Sequence, residues 1–224
     1  MIFGDREEAG TLLAKALKDE LGLGEEDIIF AIPRGGIPVA YAVSSELGVP
    51  MSVVVVRKLG LPWNEEAGFG AIDPDGTLYL DERALAFTKL NRRTIEEIAS
   101  KELKKLEERE RKFAPGGYPR VEGKRAVIVD DGAATGYTLI AGAGFIKKRG
   151  ARKVFSAVPV CPEDTAARLE ERTDGFVCYY SSSEPNFAVG SFYRDFHQLS
   201  DEEVLEYINR AKERGIYYEG PDDR

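Results

Sequence analysis

Five short apolar segments alternate along the chain with segments of helical periodicity. The apolar segments span residues 28–32, 52–56, 126–130, 154–160 and 175–180. The helical segments begin near Asp5 and Ser200 and otherwise span about 37–47, 91–112, 137–149 and 163–172. Short β-rich runs that alternate with helices are typical of a mostly parallel sheet covered on both faces. The pattern therefore predicts an α/β fold with a Rossmann-like, mostly parallel five-stranded sheet flanked by helices.

Capping and turn residues place the boundaries between these segments. Asp5 with Glu8, Thr94 with Glu97, and Ser200 with Glu203 have the spacing of helix capping boxes. Residues 59–70 carry Gly, Pro, Trp and Asn without periodicity and predict a mobile loop, which is followed by a hairpin turned at Asp75-Gly76. We expect 113–119 to be a linker and the tail over about 215–224 to be flexible.

Composition restricts the class of protein. The 224 residues are 43% hydrophobic and 31% charged, which is typical of a globular protein, and we expect a single domain over 1–224. The net charge of -8 argues against non-specific nucleic-acid binding. No apolar run approaches the roughly 20 residues of a membrane span, and no secretory signal is evident. Cys161 and Cys178 lack metal-ligand spacing, so a reduced, cytoplasmic protein is expected.

Three of the predicted strands end in loops that carry chemistry. These loops are PRGG (33–36), RKLG (57–60) and DDGAATGYT (130–138). In parallel α/β sheets ligands bind at the carboxyl ends of the strands, near the point where the strand order reverses. Convergence of the three loops on one crevice predicts a ligand site there.

The loop DDGAATGYT combines features for binding a sugar and a phosphate. Asp130 and Asp131 repel each other unless sugar hydroxyls or a divalent metal share the charge. The small residues that follow let backbone N–H groups approach a ligand, and the N-terminus of the next helix favours an anion. Thr135 and Thr138 add hydroxyl donors. The alternative is a tight turn in which one aspartate caps the helix.

The segment from Val127 to Thr138 closely resembles the signature of the type I phosphoribosyltransferases, which bind phosphoribosyl pyrophosphate (PRPP). Further resemblance to a prokaryotic subfamily of unassigned substrate extends over FGDREEAGTLLAKAL, AIPRGGIPVA, VVVVRKLGLPWNEEAGFGAI and NFAVGSFYRDFHQLSDEEV. The resemblance covers most of the chain and implies the type I phosphoribosyltransferase fold with a small hood.

The resemblance implies roles for individual residues. Asp130 and Asp131 would take the ribose hydroxyls, directly or through Mg²⁺, and together with Lys58 form the catalytic set. Arg34, Gly35 and Gly36 match the pyrophosphate loop, in which a non-proline cis peptide bond is expected within 33–36. Arg57 and Lys58 match the basic pair that neutralises pyrophosphate, with a surface ion pair as the alternative. The PRPP-binding loop would comprise Ala133, Ala134, Thr135, Gly136, Tyr137 and Thr138.

The implied reaction is Mg²⁺-dependent transfer of the phosphoribosyl group from PRPP to a nitrogenous base with release of pyrophosphate. The loop over 59–70 would close as a lid. Members that use 6-oxopurines usually carry Asp where this chain has Ala134, so the resemblance is to adenine-, orotate- or uracil-type members. Tyr137 also departs from the small residue usual in the family, so its ring must point away from the phosphate or line the pocket.

The hood would bind the acceptor base, and we expect it to be assembled from about 1–25 and 181–200. Phe187 and Tyr193 are the candidates for stacking on the base, together with Phe192 and Phe196; the alternative is that all four close a small core. His197 is the only histidine, and we expect a surface or capping role for it rather than proton transfer. A homodimer is compatible with the resemblance.

Two other classes of function are alternatives to a transferase. The first is a PRPP- or nucleotide-binding regulatory protein that keeps the fold without chemistry. The second, a Rossmann-type oxidoreductase, is disfavoured because no GxGxxG opens a helix after a strand. Gly142 and Gly144 instead fall inside the helix after the motif, where small residues would let it pack on the sheet.

Overall fold

A five-stranded parallel sheet forms the centre of the molecule. The computed structural model of the chain describes residues 3–220, apart from the side chains of residues 65 and 66. Its strands are Ile28–Ala31 (β1), Met51–Val53 (β2), Arg125–Val129 (β6), Lys153–Pro162 (β7) and Phe176–Ser182 (β8). They run in the order β2-β1-β6-β7-β8, and every neighbouring pair is parallel. The predicted α/β fold with a five-stranded sheet is confirmed.

Helices cover both faces of this sheet. Strand β1 alternates Ile29 and Ala31 toward one face with Ile28 and Phe30 toward the other, and all four side chains are buried. The first face is covered by α1 (Arg6–Leu21), α2 (Gly36–Leu47) and α7 (Asp201–Glu213); the second is covered by α5 (Tyr137–Lys148) and α6 (Glu163–Arg172). Because both faces are apolar, the strands read as continuous hydrophobic runs in the sequence.

Helix caps follow the sequence signals with one exception. The Asp5 side chain accepts from the Glu8 N–H, and Ser200 with Glu203 forms a complete capping box. The long helix α4 (Arg92–Phe113) begins before the predicted Thr94 cap. Asn91 is the actual cap, because its side-chain oxygen accepts from both the N–H and the hydroxyl of Thr94. A short helix α3 (Glu82–Thr88), capped by Asp81, was not predicted.

The segment predicted as a mobile loop over 59–70 is instead part of a second, antiparallel sheet. Strands β3 (Arg57–Leu61), β4 (Asn64–Ile72) and β5 (Leu78–Leu80) form this sheet, in that order. Register shifts on both sides of Gly60 break the alternation of inward and outward residues, which explains why no strand periodicity was visible. The second central strand also ends earlier than predicted, at Val53, so Arg57 and Lys58 open β3.

A buried carboxylate ties the small sheet to α5. Asp73, which is fully buried, accepts hydrogen bonds from the backbone N–H groups of Asp75 and Thr77 at the predicted hairpin turn. It also pairs with the Lys148 ammonium of α5 at 2.8 Å. Gly144 of α5 leaves room for Tyr79, because an added Cβ there would lie 2.2 Å from the tyrosine hydroxyl. A Cβ added to Gly142 would lie 3.1 Å from Ile128 of the central sheet, so both glycines let α5 pack closely, Gly142 on the central sheet as predicted and Gly144 on the small one.

Part of the predicted flexible tail is bound to the central sheet. The Met51 N–H donates to the Ile216 carbonyl, and the Tyr218 N–H donates to the Met51 carbonyl. Residues 216–218 thus lie along the outer edge of β2, where backbone groups would otherwise lack partners. Residues 221–224, the end of the predicted tail, lie outside the described residues.

None of the helices within residues 3–220 combines the length and the apolar character that a membrane crossing requires.

We expect Asp73→Asn to lower the free energy of unfolding by about 2–3 kcal/mol, because a buried acceptor would lose its ion pair with Lys148. Urea denaturation followed by circular dichroism measures the change. Asp75→Asn is the matched control on the same turn, since Asp75 makes only an exposed pair with Arg149, and we expect a change below about 0.5 kcal/mol. Equal effects of the two substitutions would contradict the central role of Asp73.

Candidate functional site

Two of the predicted loops meet where the strand order reverses. Numbered within the central sheet alone, the strands have the order 2-1-3-4-5, and the reversal lies between β1 and β6. The 33–36 turn follows β1, and Asp130 follows β6. A Cβ added to Gly35 would lie 2.0 Å from Oδ2 of Asp131, and one on Gly36 would lie 2.6 Å from the Val129 carbonyl. Only glycine allows this approach, so the two loops form one continuous crevice.

The peptide bond between Pro33 and Arg34 is cis, as predicted for this turn.

The two aspartates lie side by side on the floor of the crevice. Oδ1 of Asp130 accepts a hydrogen bond from the Asp131 N–H at 2.9 Å. Burial raises the pKa of Asp130 well above its usual value, and the neighbouring charge of Asp131 raises it further. Burial also raises the pKa of Asp131, although less strongly because Arg6 opposes it. The Asp131 side chain keeps 15% exposure, so a ligand in the crevice can still reach it.

Arg6 supplies the compensating charge and was missed in the sequence. Its Nε donates to Asp131 Oδ2 at 2.8 Å, and its Nη1 donates to the His197 carbonyl at 3.1 Å. The guanidinium carbon also lies 4.0 Å from the centre of the Phe196 ring. Arg6 is the first residue of α1, directly after the Asp5 cap, and its side chain is only 9% exposed. The available signal was an arginine inside the FGDREEAG segment, but nothing local connects it with a carboxylate 125 residues away.

Tyr193 is bonded to the backbone of the aspartate pair and does not line an open pocket. Its ring is buried, and its hydroxyl donates to the Asp131 carbonyl at 2.6 Å. Burial raises the pKa of this phenol, and the charge of Asp131 adds to the effect, so it remains a donor. Tyr193 belongs to an aromatic cluster with Phe3 and Phe192, and Phe3 forms backbone hydrogen bonds with Phe192 and Arg194. The N-terminal and C-terminal parts assigned to the hood therefore join here; residues 1–2 lie outside the described residues.

His197 lies on the surface, as predicted. Its Nδ1 is 2.8 Å from Asp195 Oδ1, and its Nε2 is 2.9 Å from Oε1 of Glu203, the capping residue of α7. Hydrogen bonding to Asp195 raises the pKa of the imidazole, and Glu203 adds to this. His197 contacts the site through its backbone carbonyl, which accepts a hydrogen bond from Arg6.

The loop from Gly132 to Gly136 is fixed by hydrogen bonds to β7 and α6. The Ala133 N–H donates to the Val160 carbonyl, so this N–H is already used within the fold. Thr165 Oγ1 and Arg168 Nη1, both on α6, donate to the carbonyls of Ala134 and Thr135 at 2.6 and 2.8 Å. The two carbonyls are therefore bonded to α6, and the residues Ala134 and Thr135 themselves remain exposed at the crevice. Thr165 and Arg168 are supporting residues that sequence patterns did not indicate.

Helix N-termini around the crevice lack side-chain caps. Helices α2, α5 and α6, which follow β1, β6 and β7, have no side-chain cap hydrogen bond, whereas α1, α3, α4 and α7 each have one. Unbonded N–H groups and the helix dipole make such termini favourable for anions. At α2 the dipole acts alone, because the Gly36 and Ile37 N–H groups donate to the Ile32 and Arg34 carbonyls and Pro38 has no N–H. At the start of α5 the Tyr137 ring is buried, with the Arg168 guanidinium 5.8 Å from its centre. The ring therefore leaves the terminus open.

Basic side chains line the side of the crevice that follows the 33–36 turn. Arg34 Nη1 donates to the Leu199 carbonyl at 2.5 Å. Arg57 donates through Nε and Nη2 to one oxygen of Glu102 on α4, at 2.9 and 2.6 Å. Burial raises the pKa of Glu102, but hydrogen bonds from Lys105 and Arg57 outweigh it, and the net pKa lies below the ordinary value. The predicted ion-pair alternative for Arg57 is thus present, and the pair fixes Arg57 at the crevice.

The phosphoribosyl transferase domain model matches residues 5–196, which include all of these loops. The chain belongs to the phosphoribosyl transferase family. Two Mycobacterium tuberculosis proteins, from strains CDC 1551 and H37Rv, are provisionally named as phosphoribosyl transferases and are each 40% identical to it over 211 residues. The alignment covers 94% of this chain and 47% of those proteins, so the chain spans about half of their length. The crystal structure of TT1426 from Thermus thermophilus is 37% identical, with a TM-score of 0.72, and the match covers 92% of this chain and 97% of that one.

A cavity adjoins the loop from Gly132 to Gly136 on the side of β8. It has a volume of about 490 Å³ and is lined by Ala134, Pro162, Glu163, Asp164, residues 182–185 and Phe187. Phe187 is half-buried and packs against Phe192, with ring centres 5.2 Å apart. Of the two residues predicted for the acceptor pocket, Phe187 therefore lies at an open cavity and Tyr193 does not.

The carboxylate oxygens of the two aspartates fit a magnesium ion that takes most of its coordinating oxygens from a bound phosphate and from water. Within residues 3–220 no group of three or more His, Cys, Asp or Glu side chains could enclose a metal. Mg²⁺ in proteins is usually bound by one or two carboxylates together with phosphate oxygens and water. Asp130 and Asp131 can supply those carboxylates, and Asp130 is the less occupied because Arg6 contacts Asp131.

We expect Asp130→Asn to stabilise the unliganded protein. The raised pKa of Asp130 means that its ionised form opposes folding above about pH 4, where the carboxylate of the unfolded chain is charged. Stability therefore falls as the pH rises through the folded-state pKa. The amide removes this cost and can still accept from the Asp131 N–H, so we expect a gain of about 1 kcal/mol at pH 7 that vanishes near pH 3–4.

Urea denaturation between pH 3.5 and 8 measures this difference. Asp19→Asn, at an exposed carboxylate of α1, is the control and should change stability by less than about 0.5 kcal/mol. A loss of stability in Asp130→Asn at pH 7 would show that the charge is already compensated in the folded protein.

Proposed function

We propose that this protein transfers the 5-phosphoribosyl group from PRPP to a nitrogenous base and releases pyrophosphate, with Mg²⁺ bound by PRPP. The observation that carries the proposal is a pair of adjacent carboxylates with the N-terminus of α5, which has no side-chain cap, on one side and the turn that carries Arg34 on the other. A ligand with two anionic ends and a hydroxylated centre matches this arrangement. Membership of the phosphoribosyl transferase family supports the same ligand.

The sugar and its phosphate would occupy the β6 side of the crevice. Asp130 and Asp131 would accept hydrogen bonds from the ribose hydroxyls, which relieves their mutual repulsion. The backbone N–H groups at the start of α5, with Thr135 and Thr138, would hold the 5′-phosphate. Arg6 keeps Asp131 oriented through its 2.8 Å contact and lowers the cost of its charge.

The pyrophosphate would occupy the β1 side. Arg34, the N-terminus of α2 and Arg57 together would neutralise the negative charge that develops as pyrophosphate leaves the anomeric carbon. Mg²⁺ chelated by the diphosphate would supply further charge neutralisation and fix its orientation. Lys58, on the strand that also carries Arg57, would approach the same oxygens from the antiparallel sheet.

Water must be kept from the cationic sugar while the base attacks. The hairpin of β3 and β4 begins with Arg57 and Lys58, and Trp63 at its turn is 64% exposed. We propose that this hairpin, in place of the flexible loop expected from the sequence, covers the crevice when PRPP is bound. The base would enter from the cavity lined by Ala134 and Phe187, which also carries Glu163, Asp164 and Glu184. At position 134 itself a methyl group stands where members that use 6-oxopurines usually have a carboxylate.

We expect isothermal titration to show Mg²⁺-dependent binding of PRPP by the wild type and a loss of binding of at least about 100-fold in Asp130→Asn/Asp131→Asn. The double substitution removes both negative charges and one acceptor oxygen of each side chain, so the hydrogen bonds from the ribose hydroxyls lose their charge assistance, at a cost of about tenfold or more each. Asp19→Asn is the control and should bind as the wild type does. Absence of PRPP binding by the wild type would refute the proposed function.

We expect pyrophosphate release with PRPP and a base such as adenine, orotate or uracil, and at most weak release with hypoxanthine, guanine or xanthine. The measurement is an enzyme-coupled pyrophosphate assay over this panel at fixed Mg²⁺. Tight PRPP binding without turnover on any base would indicate a regulatory protein instead of an enzyme. Preference for a 6-oxopurine would contradict the role given to Ala134.

A further inference from the structure

A cavity of about 440 Å³ lies between α4, the 33–36 turn and the start of α7, beyond the residues that the signature identifies. Its volume is within the roughly 300–1,000 Å³ that is usual for small-ligand sites. Five cationic and three acidic side chains line it, together with Ser200: Arg34, Arg57, Lys105, Arg109, Lys112, Glu108, Asp201 and Glu202. The excess of positive charge favours an anion.

Among these cations Arg109 differs in lacking a partner. Arg57 and Lys105 bind Glu102, Lys112 binds Asp201, and Arg34 binds the Leu199 carbonyl. Within residues 3–220, leaving aside the side chains of residues 65 and 66, Arg109 makes no hydrogen bond or ion pair. The five N–H donors of this half-buried guanidinium are thus available to an anion in the cavity.

The surroundings of Arg109 increase this cost. Burial lowers its pKa to about 10, and the charges of Arg57 and Arg34 act in the same direction, while the carboxylates of Asp201 and Glu102 oppose them only in part. At neutral pH Arg109 is nevertheless charged, so three guanidinium groups repel one another around one cavity. Such an arrangement lowers the stability of the free protein and is relieved by an anion that accepts from all three.

We propose that Arg109 is a ligand of the pyrophosphate group, so that α4 forms part of the substrate site. The inference rests on the proposed function, since Arg34 and Arg57 are the residues assigned there to the same group. Arg109 reaches the cavity from a helix that follows the antiparallel sheet in the chain, and it would contact the diphosphate on the side away from the ribose. The interaction is present only while the diphosphate is bound, so it adds to the affinity for PRPP and pyrophosphate and not to that for ribose 5-phosphate.

The test is isothermal titration of wild type, Arg109→Gln and Arg109→Lys with PRPP, pyrophosphate and ribose 5-phosphate in the presence of Mg²⁺. We expect Arg109→Gln to weaken binding of PRPP and pyrophosphate by about 10- to 100-fold and to leave ribose 5-phosphate unchanged. The affinity of Arg109→Lys for pyrophosphate should lie between those of the wild type and Arg109→Gln, because lysine keeps the charge without the planar guanidinium. Arg111→Gln, at an exposed arginine of the same helix, should match the wild type.

Thermal unfolding without ligand separates ligand binding from a structural role. Removal of a repelled charge should leave the melting temperature of Arg109→Gln equal to that of the wild type or raise it, whereas a structural arginine would lower it. Unchanged pyrophosphate binding in Arg109→Gln, or no pyrophosphate binding by the wild type, would overturn the inference while PRPP and ribose 5-phosphate binding still test the proposed function. Pyrophosphate binding without any PRPP or ribose 5-phosphate binding would refute the proposed function and leave this cavity as an anion site.

Discussion

The repulsion between Asp130 and Asp131 is the constraint on which the site depends. The backbone places these two carboxylates side by side directly after a buried strand. Three residues from distant parts of the chain contact them. Arg6 pairs with one carboxylate, the Tyr193 hydroxyl holds the backbone carbonyl beneath it, and Gly35 allows the neighbouring turn to touch it. These contacts compensate the pair only in part, because both pKa values stay raised. The uncompensated remainder is what a hydroxylated ligand would relieve.

Arg6 and Tyr193 also join the two ends of the chain at the site. Arg6 lies on α1, whereas Tyr193 follows the last strand, and both contact Asp131 at the end of β6. The aromatic cluster around Phe3 fixes this junction, since Phe3 is bonded through its backbone to Phe192 and Arg194. Mutations at either end of the chain can therefore alter the carboxylates without contacting a ligand.

The central sheet was predictable because its strands are apolar throughout and its loops carry glycines and charges at fixed places. The PRGG turn, with its cis peptide, and the crevice at the switch point followed from the same patterns and from the family resemblance that they carry. The 59–70 segment was misassigned because bulges around Gly60 erase the two-residue period on which strand prediction depends. Arg6, Thr165 and Arg168 were missed for a different reason. Their partners lie far away in sequence, and an isolated arginine or threonine on a helix has no local pattern that indicates its contact.

The segment at 216–218 limits where a strand of another molecule could pair with the central sheet. By bonding to both backbone groups of Met51, it covers the outer edge of β2 at that residue. Exposed backbone groups on an edge strand can pair with another chain, and at Met51 those groups are already satisfied within the fold.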